Sequence, residues 1–222
     1  MMNTKKPPVA LAVTILATAF PAAAATLVTG AGPDQGITLV SSDVIYALNI
    51  SGLPTPAYVG PFQGVTFQTA YPEITVASGG WGVFGNANTQ FNGGNAEEQA
   101  LDSLAKELFF SATDGSLKIT GLIAGDSYKL DILQTIGPYT SRNQNILVNG
   151  VTLDSVVLTQ NSGQLWNSSL TGIADANGEI LLGFDGTSGD GPVFSSLMVS
   201  VPEPSGLLLG ALGLLPLCRR RR

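Results

Sequence analysis

The stretch Ser127-Tyr128-Lys129-Leu130-Asp131-Ile132-Leu133, "SYKLDIL", decides how the rest of the chain is read. In an extended chain Tyr128, Leu130 and Ile132 share one face and Lys129 and Asp131 the other, because successive strand side chains point to opposite sides. A helix would need its apolar residues three and four apart, so this alternation predicts a half-buried antiparallel strand. The segment "SLKIT" at 116–120 repeats the pattern, with Leu117 and Ile119 opposed to Lys118. Further β-branched or aromatic runs follow the same habit: "ITLV", "VIYALNI", "GVTFQT", "EITVAS", "NILVN", "SVVLT", "EILLGFD" and "VFSSLMVSV". Asp114-Gly115, Asn149-Gly150 and Asn177-Gly178 supply the positive φ that tight hairpins need. One segment departs from the pattern. "NAEEQALDSLAKELFF" sets Ala100, Leu101, Leu104 and Leu108 at helical spacing, with Glu97 and Glu98 early, where a helix N-terminus favours negative charge.

These readings predict an all-β chain: a two-sheet antiparallel β-sandwich of jelly-roll type with one short helix. The cysteine–tryptophan–cysteine pattern of immunoglobulin domains is missing, since Cys218 is the only cysteine. The glycine- and asparagine-rich stretch "SGGWGVFGNANTQFNGGNAEE" reads as a long loop.

Charge and composition exclude several functions. Between residues 26 and 200 there are four basic residues (Lys106, Lys118, Lys129, Arg142) against fifteen acidic ones. Nucleic-acid affinity rests on lysine and arginine at phosphates, so no nucleic-acid partner is expected. The chain has no histidine. That removes Ser-His and Cys-His nucleophiles and His-ligated zinc or copper. Chemistry is left to carboxylates, amides, hydroxyls and aromatic faces.

The two ends differ from the middle. Residues 1–25 run from Lys5 and Lys6 through an apolar core, Val9 to Phe20, into the small residues Ala22-Ala23-Ala24. That order is the layout of a secretory signal peptide, with the mature chain opening near Ala25 or Thr26. Residues 26–200 form one domain, and 201–222 a separate tail. In the tail, Pro202-Glu203-Pro204 precedes the apolar run Gly206 to Cys218 and then Arg219, Arg220, Arg221 and Arg222. As a helix that run reaches roughly 20 Å, a short span for a hydrocarbon core of roughly 30 Å. The arginines would hold its end on the cytoplasmic side.

Tripeptide, apolar anchor helix and arginine cluster, in that order opposite a signal peptide, resemble the PEP-CTERM sorting signal of Gram-negative bacteria. The resemblance implies recognition by an exosortase, a membrane enzyme that cuts near the Pro-Glu-Pro motif. It also implies cargo that is membrane-anchored through the tail before processing, then placed at the cell surface with exopolysaccharide. The middle has a looser likeness. "YALNISG", "GLIAGDSYKLDIL", "SRNQNILVNG" and "DANGEILLGFDGTSGDGPVFSSLMV" resemble, in order, strands of malectin-like and galactose-binding-like β jelly rolls.

Sugar binding needs flat aromatic faces beside amides or charged hydrogen-bonding groups. Trp81, Tyr139 and Trp166 lie in segments read as loops, with Arg142 and Asn167 nearby. Each ring either meets a sugar or caps the sandwich, and the sequence leaves both open. Calcium prefers oxygen ligands, which "DANGE" (Asp175, Asn177, Glu179) and "DGTSGDG" (Asp185, Asp190) cluster. Asp-x-Asn-Gly serves equally as a turn, so a structural calcium and no cofactor at all stand side by side. A glycosidase would need two carboxylates facing each other roughly 5 to 9.5 Å apart. Nothing in the sequence sets two carboxylates on facing elements. The expectation is a non-catalytic envelope or matrix protein that binds exopolysaccharide; the alternatives are a secreted carbohydrate-active enzyme and a purely structural component.

Overall fold

The computed structural model describes residues 25–28, 37, 39–49, 61–85, 96–136, 139–159, 164–187 and 190–202. Its centre is two five-stranded antiparallel sheets packed face to face. The first runs, edge to edge, β1 (Thr26–Val28), β12 (Leu165–Ile173), β9 (Ser127–Gln134), β15 (Ser196–Ser200) and β2 (Val44–Asn49). The second runs β11 (Val151–Leu158), β10 (Arg142–Val148), β13 (Ile180–Gly186), β8 (Gly115–Ile119) and β5 (Ile74–Ser78). From β8 to β9 to β10, and again from β11 to β12 to β13, the chain passes between sheets, as a jelly roll requires. Tyr128, Leu130 and Ile132 face inward, as their alternation predicts, and meet Leu117, Ile119, Ile146, Leu182 and Phe184 from the second sheet.

Asp131 does not face open solvent, and Lys129 is only partly exposed. A second core covers the other side of the first sheet. There Ala47, Leu133, Leu165 and Met198 meet α1 (Ala96–Leu104) and a small hairpin, β3 (Pro61–Phe62) with β4 (Val65–Thr66). Asp131 is consequently only 1% exposed. Its Oδ2 lies 2.9 Å from Lys129 Nζ, and its Oδ1 accepts from Asn167 Nδ2 at 3.2 Å. Burying a carboxylate without such partners would be costly.

The helix is shorter than the periodicity predicts. Ala100, Leu101 and Leu104 are buried on α1, but the chain leaves the helix at Leu104, and Leu108 belongs to strand β7 (Glu107–Ser111). Phe109 and Phe110 favour the strand. A nine-residue helix is marginal alone, so the second core holds it.

Only one of the three expected hairpin turns joins paired neighbours. Asn149 and Gly150, at φ 51° and 80°, close β10 onto β11. Asp114-Gly115 and Asn177-Gly178 instead connect strands of different sheets. Gly178 sits at φ 72°, and a Cβ there would run into the carbonyl of Leu122. The "ITLV" run is not a strand over its described residues, 37, 39 and 40; Ile37 enters the second core. Residues 1–24 of the expected signal peptide, Glu203, Pro204, the apolar run and the four arginines lie outside the described residues. No helix among the described residues is long and apolar enough to cross a membrane.

Candidate functional site

A third sheet, of β6 (Trp81–Gly85), β7 and β14 (Val193–Phe194), flanks one end of the sandwich. Pairing aligns Val83 with Phe109, Phe84 with Leu108, and Val193 with Phe110. Alternation then sorts the apolar residues by face. Trp81, Phe109 and Phe194 point to the sandwich core, while Phe84, Leu108, Phe110 and Val193 line a recess of about 170 Å³ on the other side. Tyr139 and Arg142 complete it.

The recess is held by specific contacts. Phe84 meets Phe110 edge-on at 5.4 Å and Tyr139 at 6.3 Å. The Tyr139 hydroxyl donates to Gly85 O at 2.6 Å, fixing the phenol ring as a wall. The Arg142 guanidinium carbon lies 4.6 Å from the Phe110 centroid, a cation–π arrangement, and Nη1 donates to Gly191 O at 2.7 Å. Burial lowers the Arg142 pKa from its usual value, and Asp190 acts in the opposite direction. Phe84 is 45% exposed, so the recess opens to solvent. Its volume falls below the roughly 300–1,000 Å³ of drug-sized sites, which suits one ring or a chain end.

Two of the expected site residues, Tyr139 and Arg142, therefore converge. Trp81 and Trp166 do not join them. Trp81 lies in a strand rather than an open loop. Its indole stacks on Phe109 at 4.7 Å and 9°, and meets Phe184 and Phe194 edge-on at 5.7 Å. Its Nε1 donates to Ser78 O at 2.8 Å. Trp166 lies in β12, between Leu27 of β1 and Gln134 of β9, and packs against the sandwich core. Phe84 and Phe110 were not anticipated, although alternation in "WGVFG" and "ELFFS" separates Phe84 from Trp81 and Phe110 from Phe109.

The two oxygen-rich stretches lie at opposite ends of β13, a seven-residue strand about 20 Å long. They do not form one site. Asp175 Oδ1 accepts from the backbone N–H of Asn177 at 2.8 Å and of Glu179 at 3.0 Å. Those bonds hold its pKa below the ordinary carboxylate value. Glu179 pairs with Lys118 at 3.0 Å. At the other end, burial and then Asp114 raise the Asp185 pKa. Among the described residues no group of three or more acidic, histidine or cysteine side chains could hold a metal ion.

No family model and no curated protein sequence matches the chain. Its fold is similar to solved structures that include plant extracellular domains and part of a bacterial enzyme. The ANX1 ectodomain of Arabidopsis thaliana aligns with a TM-score of 0.53 and 15% identity, over 73% of this chain and 51% of that one. The ANXUR1 extracellular domain of the same plant gives 0.52 and 16%, over 70% and 47%. A calcium-binding mutant of Bacteroides uniformis β-glucuronidase 2 gives 0.51 and 15%, over 71% and 18%. This chain thus spans about half the length of the plant ectodomains and less than a fifth of the glucuronidase. At these identities the likeness concerns the fold alone, and at that level it is consistent with the malectin-like resemblance.

Proposed function

We propose that this chain is an exported bacterial envelope protein that binds exopolysaccharide, without catalysis, in the recess beside β6, β7 and β14. One observation carries the reading. Three aromatic rings, Phe84, Phe110 and Tyr139, surround a single solvent-open apolar recess beside a fixed guanidinium. Rings of that kind take the apolar face of a pyranose, and Arg142 has donors to orient its hydroxyls. The described lining of the recess is aromatic, aliphatic and guanidinium, which suits stacking on a sugar ring.

The experiment is affinity electrophoresis of the wild type, Phe84→Ala and Tyr139→Ala in gels containing neutral or uronic-acid polysaccharides. The wild type should be retarded, and each variant should bind about tenfold more weakly, the loss of about 1.4 kcal/mol expected for one ring contact. The acidic surface should favour neutral polymers at low salt, with the difference shrinking as salt screens it. A folded wild type that no envelope polymer retards would leave the structural-component reading in its place.

Export and sorting rest on the two ends of the chain. The Ala22-Ala23-Ala24 set supports signal cleavage, and Pro202-Glu203-Pro204 with Arg219 to Arg222 supports exosortase processing. Glu203→Ala should leave export intact and let the unprocessed form accumulate in the membrane. Mass spectrometry giving one mature C-terminus for wild type and variant would overturn the sorting reading.

A further inference from the structure

Asp154 lies in β11, only 6% exposed, and neither ion pair among the described residues involves it. Lys118 and Lys129 pair elsewhere, Arg142 bonds Gly191, and Lys106 is exposed beyond α1. Burying a carboxylate without a counter-charge is costly. Asp154 nevertheless has a dense set of donors. Its Oδ2 accepts from Ser168 Oγ, and its Oδ1 accepts from Ser155 N at 2.8 Å and from Ala25 N at 3.2 Å. The chain of bonds continues across the sandwich. Gln134 Nε2 donates to Ser168 Oγ, and Gln144 Nε2 donates to Gln134 Oε1 and to Val193 O. One end of this buried network, which ties the two sheets together, is the nitrogen of Ala25.

Ala25 directly follows the Ala22-Ala23-Ala24 set. We infer that the exported chain is cut between Ala24 and Ala25, and that Asp154 is the built receptor for the α-ammonium released there. Hydrolysis by a signal peptidase adds water across that peptide bond. The hydroxyl goes to the Ala24 carbonyl carbon and the proton to the Ala25 nitrogen, which takes up a further proton near neutral pH. A neutral amide donor becomes a cation beside the carboxylate that lacks one. Cutting after Ala25 would instead remove this donor and move the new terminus one residue, about 3.3 Å, along β1. The inference rests on the export reading and places the start of the mature chain at Ala25 rather than Thr26.

The test expresses the full chain in an exporting host and reads the N-terminus of the exported protein by mass spectrometry. Its α-amine is then labelled with an acylating reagent at pH 7, folded and in urea. A start at Ala25, with the folded α-amine labelling at least tenfold more slowly than the unfolded one, is the expected result. Asp154→Asn should bring the folded rate to within about threefold of the unfolded rate. The folded-to-unfolded ratio of the wild type decides the matter if that variant does not fold. A chain starting at Ala25 whose α-amine labels equally fast in both states overturns the receptor while leaving export standing. A start at Thr26 or beyond does the same. An uncut chain overturns the export reading itself, and the receptor with it.

Discussion

Replacing Trp81 by alanine is expected to lower the unfolding free energy by about 3 kcal/mol, and the melting temperature by roughly 6–12 °C for a domain of this size. The indole is only half-buried, which keeps the cost toward the lower end of the range for core aromatic truncations. Its surroundings make it more than a surface ring. It stacks on Phe109, meets Phe184 and Phe194 edge-on, and satisfies its own N–H at Ser78. Phe184 and Phe194 themselves stack at 4.8 Å, so removing the indole opens a gap above a continuous aromatic cluster. Polysaccharide retention of the surviving folded fraction should be little changed, because Trp81 faces away from the recess. Thermal denaturation followed by circular dichroism, run beside affinity electrophoresis, separates the two effects. An unchanged melting temperature with lost retention would return Trp81 to the binding surface.

The glycines around Trp81 explain why its role is hard to read from sequence. Gly79, Gly80 and Gly82 suggest an open loop with a free ring. They have the reverse effect when strand β8 is taken into account. A Cβ at Gly115 would lie 2.6 Å from the indole, so small residues on both elements are what let the ring lie flat on the backbone. Local composition records the small residues but not what fills the space they leave. Strand β12 was hidden for a related reason. "LWNSSLTGI" lacks apolar alternation because Asn167 and Ser168 occupy buried positions, where they bond Asp131 and Asp154. A buried polar network erases the pattern that reveals a strand.

The paired strands were legible wherever one face meets the core and the other meets water. This holds for "SLKIT" and for the Asn149-Gly150 hairpin. It holds less well for the first sheet, whose β15 is buried at all five positions. A strand buried on both faces reads as a continuous apolar run, and "SLMVS" hints at the second core that α1 supplies. The recess was half-legible. Tyr139 and Arg142 stand out as an aromatic and a cation in one short segment, whereas Phe84 and Phe110 resemble core residues until register assigns their faces.

Ile132→Asp should abolish cooperative folding, at a cost above about 4 kcal/mol, since it adds an unpaired buried charge to the loss of a packed side chain. Ile132 is fully enclosed between the sheets, across from Leu197 on β15 and Ser168 on β12. Strand alternation alone would make Lys129→Asp, on the opposite face, nearly silent. The second core changes that expectation. Lys129 is the cation for Asp131, and its replacement would put two carboxylates two residues apart on one covered face. Lys129 keeps about a third of its side chain exposed, and solvent screens part of the repulsion. Asn167 still donates to Asp131. The expected loss is therefore about 1–3 kcal/mol, below the 3–5 kcal/mol typical of breaking a fully buried pair. Urea denaturation of the wild type and both variants would rank them. A Lys129→Asp midpoint equal to that of the wild type would mean that Asp131 does not depend on the Lys129 ammonium. Equal losses in the two variants would put the register of β9 in error, because only the correct register separates a core-facing isoleucine from a lysine that pairs with a buried carboxylate on the other face.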